Sequence, residues 1–522
     1  MRRVIGLVLL AGVAVASVQR HFSTLPFQES EAHEYQFEWP IQRVAVIGAG
    51  PSGLVAYREL TEAGLDVRLF ERNSVPGGVW HYTEEVPLDA PVPNVPASIG
   101  DFVPSLPPAG VDLPYIEEFE DDGEIGRDHR GPKQLWESLT SNMPSFPQWR
   151  WPAGTPWELT HYRIRNYVRS YAAYLNINSN DENPATAYNT RVERVEKRIN
   201  EAGKEHGWRL WLRSLEPTSP SGTYRATWWT EDFDAVVVAV GKYNAPSIPS
   251  IPGLEEWVQR FPGLVRHSRQ YRRPEVCANQ TVLIVGAGVS GTEISRDINR
   301  QARIIYQSFR PDKHNQTHIT LESRLRRIPD NTTLVGEIEQ FLPIPEGSPI
   351  QSGFVKLKNG TILSGIDSLI LATGYRLSFP FLPQYYDGAT YEPHPGSAPT
   401  VSPFLPVDGA YIRDLYLEQF YIRDPTLAFL GILPSYLSLD YTTLALAKVW
   451  TDTAKLPSGQ AMWTWYNKAV EERRGYGKYF LFLSPQRLSA RLAYMIGWLN
   501  EAASKYGGKQ VDGIPKEYVV RM

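Results

Sequence analysis

Cysteine is almost missing from this chain: Cys277 is the one thiol in 522 residues. An internal disulfide, a Cys-X-X-Cys redox pair, a thiolate zinc cage and an iron-sulfur cluster each need more than one, so all are excluded. Any redox chemistry must then come from a bound organic cofactor. An excess of positive charge is missing as well. With 53 Lys+Arg against 57 Asp+Glu, the formal net charge is -4, and no basic field draws the protein onto nucleic acid. The 10 histidines show no metal-ligand spacing, and the Gly-X-Ser-X-Gly turn of a serine hydrolase does not occur.

A long apolar run is lacking too. Arg2 and Arg3 precede an uncharged stretch from Val4 to Val18, and no acid comes before Glu29. That stretch falls short of the roughly twenty residues of a full span. Residues 1–24 are therefore expected to be a signal peptide or short membrane anchor, with Ala14-Val15-Ala16 as small-x-small cleavage spacing. A mitochondrial processing site at Arg20–Ser23 is the alternative. The implied location is the endoplasmic reticulum or secretory pathway, membrane-associated, with the cytoplasm as the alternative.

What is present is a globular composition, 42% hydrophobic and 21% charged, long enough for two to four domains. Apolar runs lead into glycine at Val44–Ile47 and Thr281–Val285, with further runs at Ala235–Val240 and Ser368–Ala372. Such runs predict buried parallel strands. Helix-like patterns follow the two glycine turns, so one βαβ idea occurs twice. Between them, Pro87 to Pro114 holds eight prolines and Glu117–Asp122 is acidic, which predicts a surface excursion rather than core. Arg191–Trp229 alternates as a β-meander does, and the chain from Ser435 onward reads as helix.

The first turn, Gly48-Ala-Gly50-Pro-Ser-Gly53, is G-x-G-x-x-G between a strand and a helix. Gly48 permits the tight turn, Gly50 lets backbone approach a pyrophosphate, and Gly53 lets helix pack on strand. Eighteen residues on, Glu71 ends the next strand with a carboxylate suited to a ribose hydroxyl pair and hostile to a 2'-phosphate. FAD or NAD fits. The second turn, Gly286-Ala-Gly288-Val-Ser-Gly291, repeats the pattern, but the same offset falls in Tyr306-Gln-Ser308-Phe-Arg310. No acid stands there, and a hydroxyl and a guanidinium favour NADPH over NADH.

With these residues in place, the chain resembles the flavin-containing monooxygenases over roughly residues 40 to 460. Phe261, Gly263, His267 and Tyr271 match that family's F-x-G-x-x-x-H-x-x-x-[YF] signature, whereas a Baeyer-Villiger enzyme carries Trp at the last position. Gly77-Gly78-Val79-Trp80 is similar to its flavin-contacting G-G-x-W, Leu135–Pro144 to its asparagine-containing strip, and Leu371–Tyr375 to its A-T-G-Y linker. Leu427–Gly431 is similar to the return of the chain to the flavin. Two departures stand out: Glu293 replaces the usual Asp, and Asp440-Tyr-Thr442 replaces Glu-x-Gln.

The resemblance implies an α/β protein with two Rossmann-like dinucleotide-binding domains, the NADPH domain inserted in the FAD domain. The expected division is FAD domain 40–245, with its excursion at 87–132; NADPH domain 246–375; then the second FAD part and C-terminal helices, 376–522. It also implies a monooxygenase that uses NADPH and O2 to oxygenate a soft nitrogen or sulfur of a small molecule through a flavin hydroperoxide. Gly78 and Trp80 would contact FAD, although a buried aromatic at a domain joint reads the same as a stacked Trp80. Asn142 is the candidate active-site amide, able to donate and accept without titrating, against an ordinary turn residue before Met-Pro. His267 reads as a structural histidine in an interdomain connection, and the proline-rich excursion as a cover over part of the substrate entrance. A disulfide reductase lacks its cysteine pair here. Baeyer-Villiger or N-hydroxylating activity, or flavin binding without turnover, are the competing functions.

Overall fold

A computed structural model describes residues 34–514 apart from 311–324, 121, 133–134, 137, 142, 147, 220–221, 389–392, 395–396, 398–400, 434 and 479. The leader-like residues 1–24 lie outside the described residues. Among those described, no helix is long and apolar enough to cross a membrane.

The run Arg43–Ile47 forms an inner strand of a seven-stranded sheet, next to the central strand Ala235–Val238. It pairs in parallel with Ala235–Val238 on one side and Asp66–Phe70 on the other, with Val46 opposite both Val237 and Leu69. Val44, Ala45 and Val46 are wholly buried, as expected of a strand covered on both faces. Leu427–Phe429 continues the sheet beyond Ala235–Val238, and Thr186–Ala187 closes the other edge. Helix Pro51–Glu62 follows Arg43–Ile47, its proline in the first turn where no amide donor is needed.

The second sheet has five parallel strands in the order Val265–His267, Ser368–Leu371, Thr281–Val285, Ile304–Ser308, Thr333–Val335. All of them come from chain lying between Ala235–Val238 and Leu427–Phe429, so the second unit is inserted in the first. The strand Thr281–Val285 alternates. Val282 and Ile284 join the core shared with the first sheet, while Leu283 and Val285 face a core of their own with Trp257 and Phe341. The two crossings between units run side by side, Ala245–Pro246 pairing antiparallel with Tyr375–Arg376. The expected meander is present as Thr190–Ile199, Glu205–Ser219 and Thr223–Phe233. The C-terminal region supplies helices Leu439–Trp450, Gly459–Glu472 and Pro485–Tyr506.

The excursion at 87–132 departs from expectation. Its acidic part, Tyr115–Glu120, is an edge strand of the meander, paired with Thr223–Trp228. Ala97, Phe102 and His129 are buried. The proline-rich part is fastened to both crossings. The Asn94 amide donates to Ile248 O at 2.7 Å and accepts from Ile248 N at 3.0 Å, and Arg376 Nη1 donates to Val95 O at 2.8 Å. Proline removes amide donors and so forbids helix, but it leaves every carbonyl free to accept. A proline-rich extended segment is therefore well suited to receive arginines from elsewhere in the fold.

Candidate active site

The first glycine turn is shaped by close backbone approach. Gly48 has φ +104°, and a Cβ there would lie 2.9 Å from Ala239 O; a Cβ on Gly53 would lie 1.8 Å from Gly48 O. Neither position admits a side chain. Gly50 caps the following helix with no side-chain hydrogen bond, so the helix's first amides face outward as an anion cradle. Glu71 stands where the sequence reading put it. Its Oε2 accepts from Ala49 N at 2.7 Å and its Oε1 from Asn73 N at 2.9 Å, which leaves lone pairs for a ribose diol.

Further segments close over this turn. Gly77 N donates to Ala49 O at 2.9 Å, and a Cβ on Gly78 would come within 3.0 Å of Gly50 Cα. From the far end of the chain, Gly431 lies against Ser52, where a Cβ would be 2.4 Å from its Oγ. Beside Gly431 is a small crevice lined by Glu418, Ser438, Thr442 and Arg491 among others. Backbone converging on an uncapped helix end, with a carboxylate beneath it, fits the pyrophosphate and ribose of FAD.

The second turn has the same backbone. Gly286 has φ +114° with a Cβ position 2.5 Å from Ala372 O, and a Cβ on Gly291 would be 2.1 Å from Gly286 O. Gly286 N donates to Ser308 O as Gly48 N does to Phe70 O, so Phe309 occupies the place of Glu71. Ser308 is buried and its hydroxyl donates to Gly336 O at 2.9 Å. Gln307 donates to Gly286 O at 3.0 Å and braces the turn from behind. Arg310 is exposed. It sits near Lys478, whose ammonium is pushed below its usual range by burial and then by Arg310; Lys478 Nζ donates to Thr373 O at 3.2 Å. Nothing lies within 4 Å of a Cβ placed on Gly288. Among the described residues this site is open, cationic and free of acid at the ribose position, which fits NADPH. Glu293, the departure from the family's Asp, is buried and paired with Arg296 and Arg327.

Between the turns, the signature residues build the joint. His267 is buried; its Nε2 donates to Gly374 O at 3.1 Å and its Nδ1 accepts from Arg269 N at 3.2 Å. Burial and the neighbouring Arg269 push it down to about 3, so it is neutral, with both nitrogens committed to backbone. Tyr271 donates to Asp297 at 2.5 Å and packs edge-on against Trp136. Cys277 is buried, and burial pushes its thiol up to about 11.

Trp80 is buried and its Nε1 donates to Tyr436 at 3.0 Å. Its ring also meets His161 at 5.5 Å. His161 and His81 are both pushed down to about 4, first by burial and then by Arg165 or Arg169, and His161 Nε2 is a buried nitrogen with no hydrogen-bond partner among the described residues. Sequence reasoning passed over these two histidines; His81 directly follows the G-G-x-W segment, the one signal available. Asn142 lies outside the described residues. Thr442, in the substituted late-helix motif, folds its hydroxyl back onto Ser438 O at 2.9 Å.

A seven-stranded sheet with a parallel middle and a five-stranded parallel sheet, each opening its glycine turn onto an uncapped helix and one inserted in the other, define a two-dinucleotide oxidoreductase of the flavoprotein kind. A flavin-binding monooxygenase-like family model matches residues 112–314, and an NAD(P)-binding Rossmann-like model matches residues 46–100. The chain is 46% identical to flavin-containing monooxygenase iboF of Amanita muscaria over 93% of each chain. It therefore belongs to the flavin-containing monooxygenase family and is an FAD- and NADPH-dependent monooxygenase. Flavin-containing monooxygenase ustF2 of Aspergillus flavus is 32% identical over 84% of this chain and 88% of its own. In fold the chain is similar to S-allyl-L-cysteine S-oxygenase from Allium sativum, with TM-score 0.60 and 21% identity over 90% of both chains.

Proposed function

We propose that the protein transfers one oxygen atom of O2 to a soft nucleophilic sulfur or nitrogen of a small molecule, while NADPH supplies two electrons and the second oxygen leaves as water. The observation that carries this reading is the pairing of a roofed glycine turn over Glu71 with an open, cationic one beside Arg310. Bound FAD supplies the passage of electrons from NADPH to O2. The chain's own residues hold and orient. Gly48, Gly50 and Gly53 cradle the FAD pyrophosphate, Glu71 takes its ribose, and Gly78 and Trp80 close over it. Gly286, Gly288 and Gly291 cradle NADPH, with Arg310 on the 2'-phosphate. Ser308 acts there through the backbone, because its hydroxyl is committed to Gly336. The corresponding division is FAD domain 40–245 with 376–522, and NADPH domain 246–375.

Sulfides, tertiary amines, hydroxylamines and ketones offered with NADPH and O2 test the reading by product mass. Sulfoxides or amine oxides are expected; lactones from ketones as the main products would replace it with a Baeyer-Villiger assignment. Asn142 is proposed as the neutral donor that keeps oxygen transfer coupled to substrate. Asn142→Ala should keep its flavin yet release hydrogen peroxide in place of product, and a fully coupled variant would reduce Asn142 to a turn residue. Residues 1–24 are proposed to attach the protein to membranes. Full-length protein should pellet with membranes and a chain starting at Gln36 should not; full-length protein with Met1–Ser23 intact that never pellets would remove the attachment.

A further inference from the structure

Lys242 stands two residues before Asn244 on the outgoing crossing, just after strand Ala235–Val238. Its ammonium lies 4.7 Å from the ring centroid of Phe482 and 5.4 Å from that of Tyr243. Among the described residues no carboxylate pairs with it; burial alone pushes it down to about 8, with no charged neighbour contributing. Tyr243 is 43% exposed and Phe482 42% exposed, so the place opens to solvent. Its walls are aromatic. Tyr243 meets Tyr375 of the return crossing at 5.5 Å, and Phe482 comes from the C-terminal region. Tyr243 also lies close enough to Tyr436 to perturb its hydroxyl, and Tyr436 accepts from Trp80 in the roof over the first turn. Val240, two residues before Lys242, lies against the first turn, where a Cβ on Gly48 would be 3.4 Å from its Cα, so Lys242 follows directly on the strand end that meets the flavin cradle.

An ammonium held against aromatic rings has given up hydration for a partial return from the ring faces. Several buried cations of this fold have acidic partners: Arg191 has Glu193 and Asp128, and Arg491 has Glu418. Half-buried Lys242 has none among the described residues. A cation kept unpaired at the entrance of a reaction space calls for an anion that arrives and leaves. Arg310 and Lys478 already serve the nucleotide end of the second site, whereas Lys242 is tied through Tyr243 and Tyr436 to the flavin end.

We infer that Lys242 is a substrate-binding residue that selects a carboxylate-bearing small molecule, with Tyr243 and Phe482 packing on its apolar part. The inference rests on the oxygenation reading for its biological sense, but binding tests it independently of turnover. The holoenzyme is titrated with 3-(methylthio)propionic acid and with the neutral 3-(methylthio)propanol, followed by the change in flavin absorbance. The acid should bind about 10-fold or more tightly than the alcohol, the ratio set by one charge-assisted contact. Lys242→Met should bring that ratio close to one, and Lys242→Arg should keep most of it; flavin content confirms that both variants fold. A wild-type protein that does not distinguish acid from alcohol overturns the inference. So does a Lys242→Met variant that loses NADPH affinity while keeping the ratio, because the anion would then be a nucleotide phosphate. If acid preference holds and no sulfide or amine is oxygenated, the oxygenation reading fails and this one stands.

Discussion

The two glycine turns share one backbone and differ in what lies over them. At the first, Gly77–Gly78 lies on Gly50 and Gly431 lies on Ser52; at the second, the space beside Gly288 is open. The first ribose position holds a buried carboxylate bonded to two amides, the second holds Phe309 flanked by an exposed arginine. The proposed reading makes the first turn a socket for a resident group and the second a berth for one that comes and goes, with the cover and not the turn as the difference.

The largest break in this comparison should come from equivalent substitutions in the two turns. Gly50→Val drives its branches into Gly78, and the protein should purify without flavin, measured by its visible absorbance. Gly288→Val meets no protein atom, so flavin content should stay normal and KM for NADPH should rise by about 10- to 100-fold, the cost of blocking phosphate approach. Flavin loss from both variants alike would mean that the cover is irrelevant.

Arg310→Ala should lower kcat/KM for NADPH by about 10- to 100-fold and leave NADH use unchanged, as expected for one charge-assisted phosphate contact. Equal loss toward both nucleotides would make Arg310 structural. Lys478→Ala should act in the same direction but only about 2- to 5-fold, because its ammonium already donates to Thr373 O.

The smallest effect on turnover concerns the wall behind the first turn. Burial pushes Asp440 up to about 7, with Arg58 opposing and Glu59 reinforcing. A carboxyl whose folded value lies above its unfolded value binds more protons in the native state between the two. Its contribution to stability is therefore lost as pH rises from about 4 to about 7. Thermal unfolding of Asp440→Asn should be flat over that window relative to wild type, which should fall. A wild type that gains stability against the variant would reverse the sign.

How much of this was legible depends on the kind of constraint. The glycines were readable because positive φ and sub-contact approach leave no other residue type possible at Gly48, Gly53, Gly286 and Gly291. Glu71 was readable from its fixed distance along a βαβ unit, and His267 as a structural group from its place in a connection. The excursion was read in part: most of it lies at the surface as expected, but proline reports missing donors and is silent about what its carbonyls accept; Arg376 reaches Val95 across 281 positions. Lys242 and His161 escaped notice for the same reason: their character comes from Phe482 and Trp80, distant in sequence, and from partners that are not there.

The paired crossings limit how the berth can move relative to the socket. Two strands held side by side by hydrogen bonds permit swinging about the line they share and resist twisting about the line between the units. The Asn94–Ile248 bonds act as a latch on that swing, since rotation must first release them.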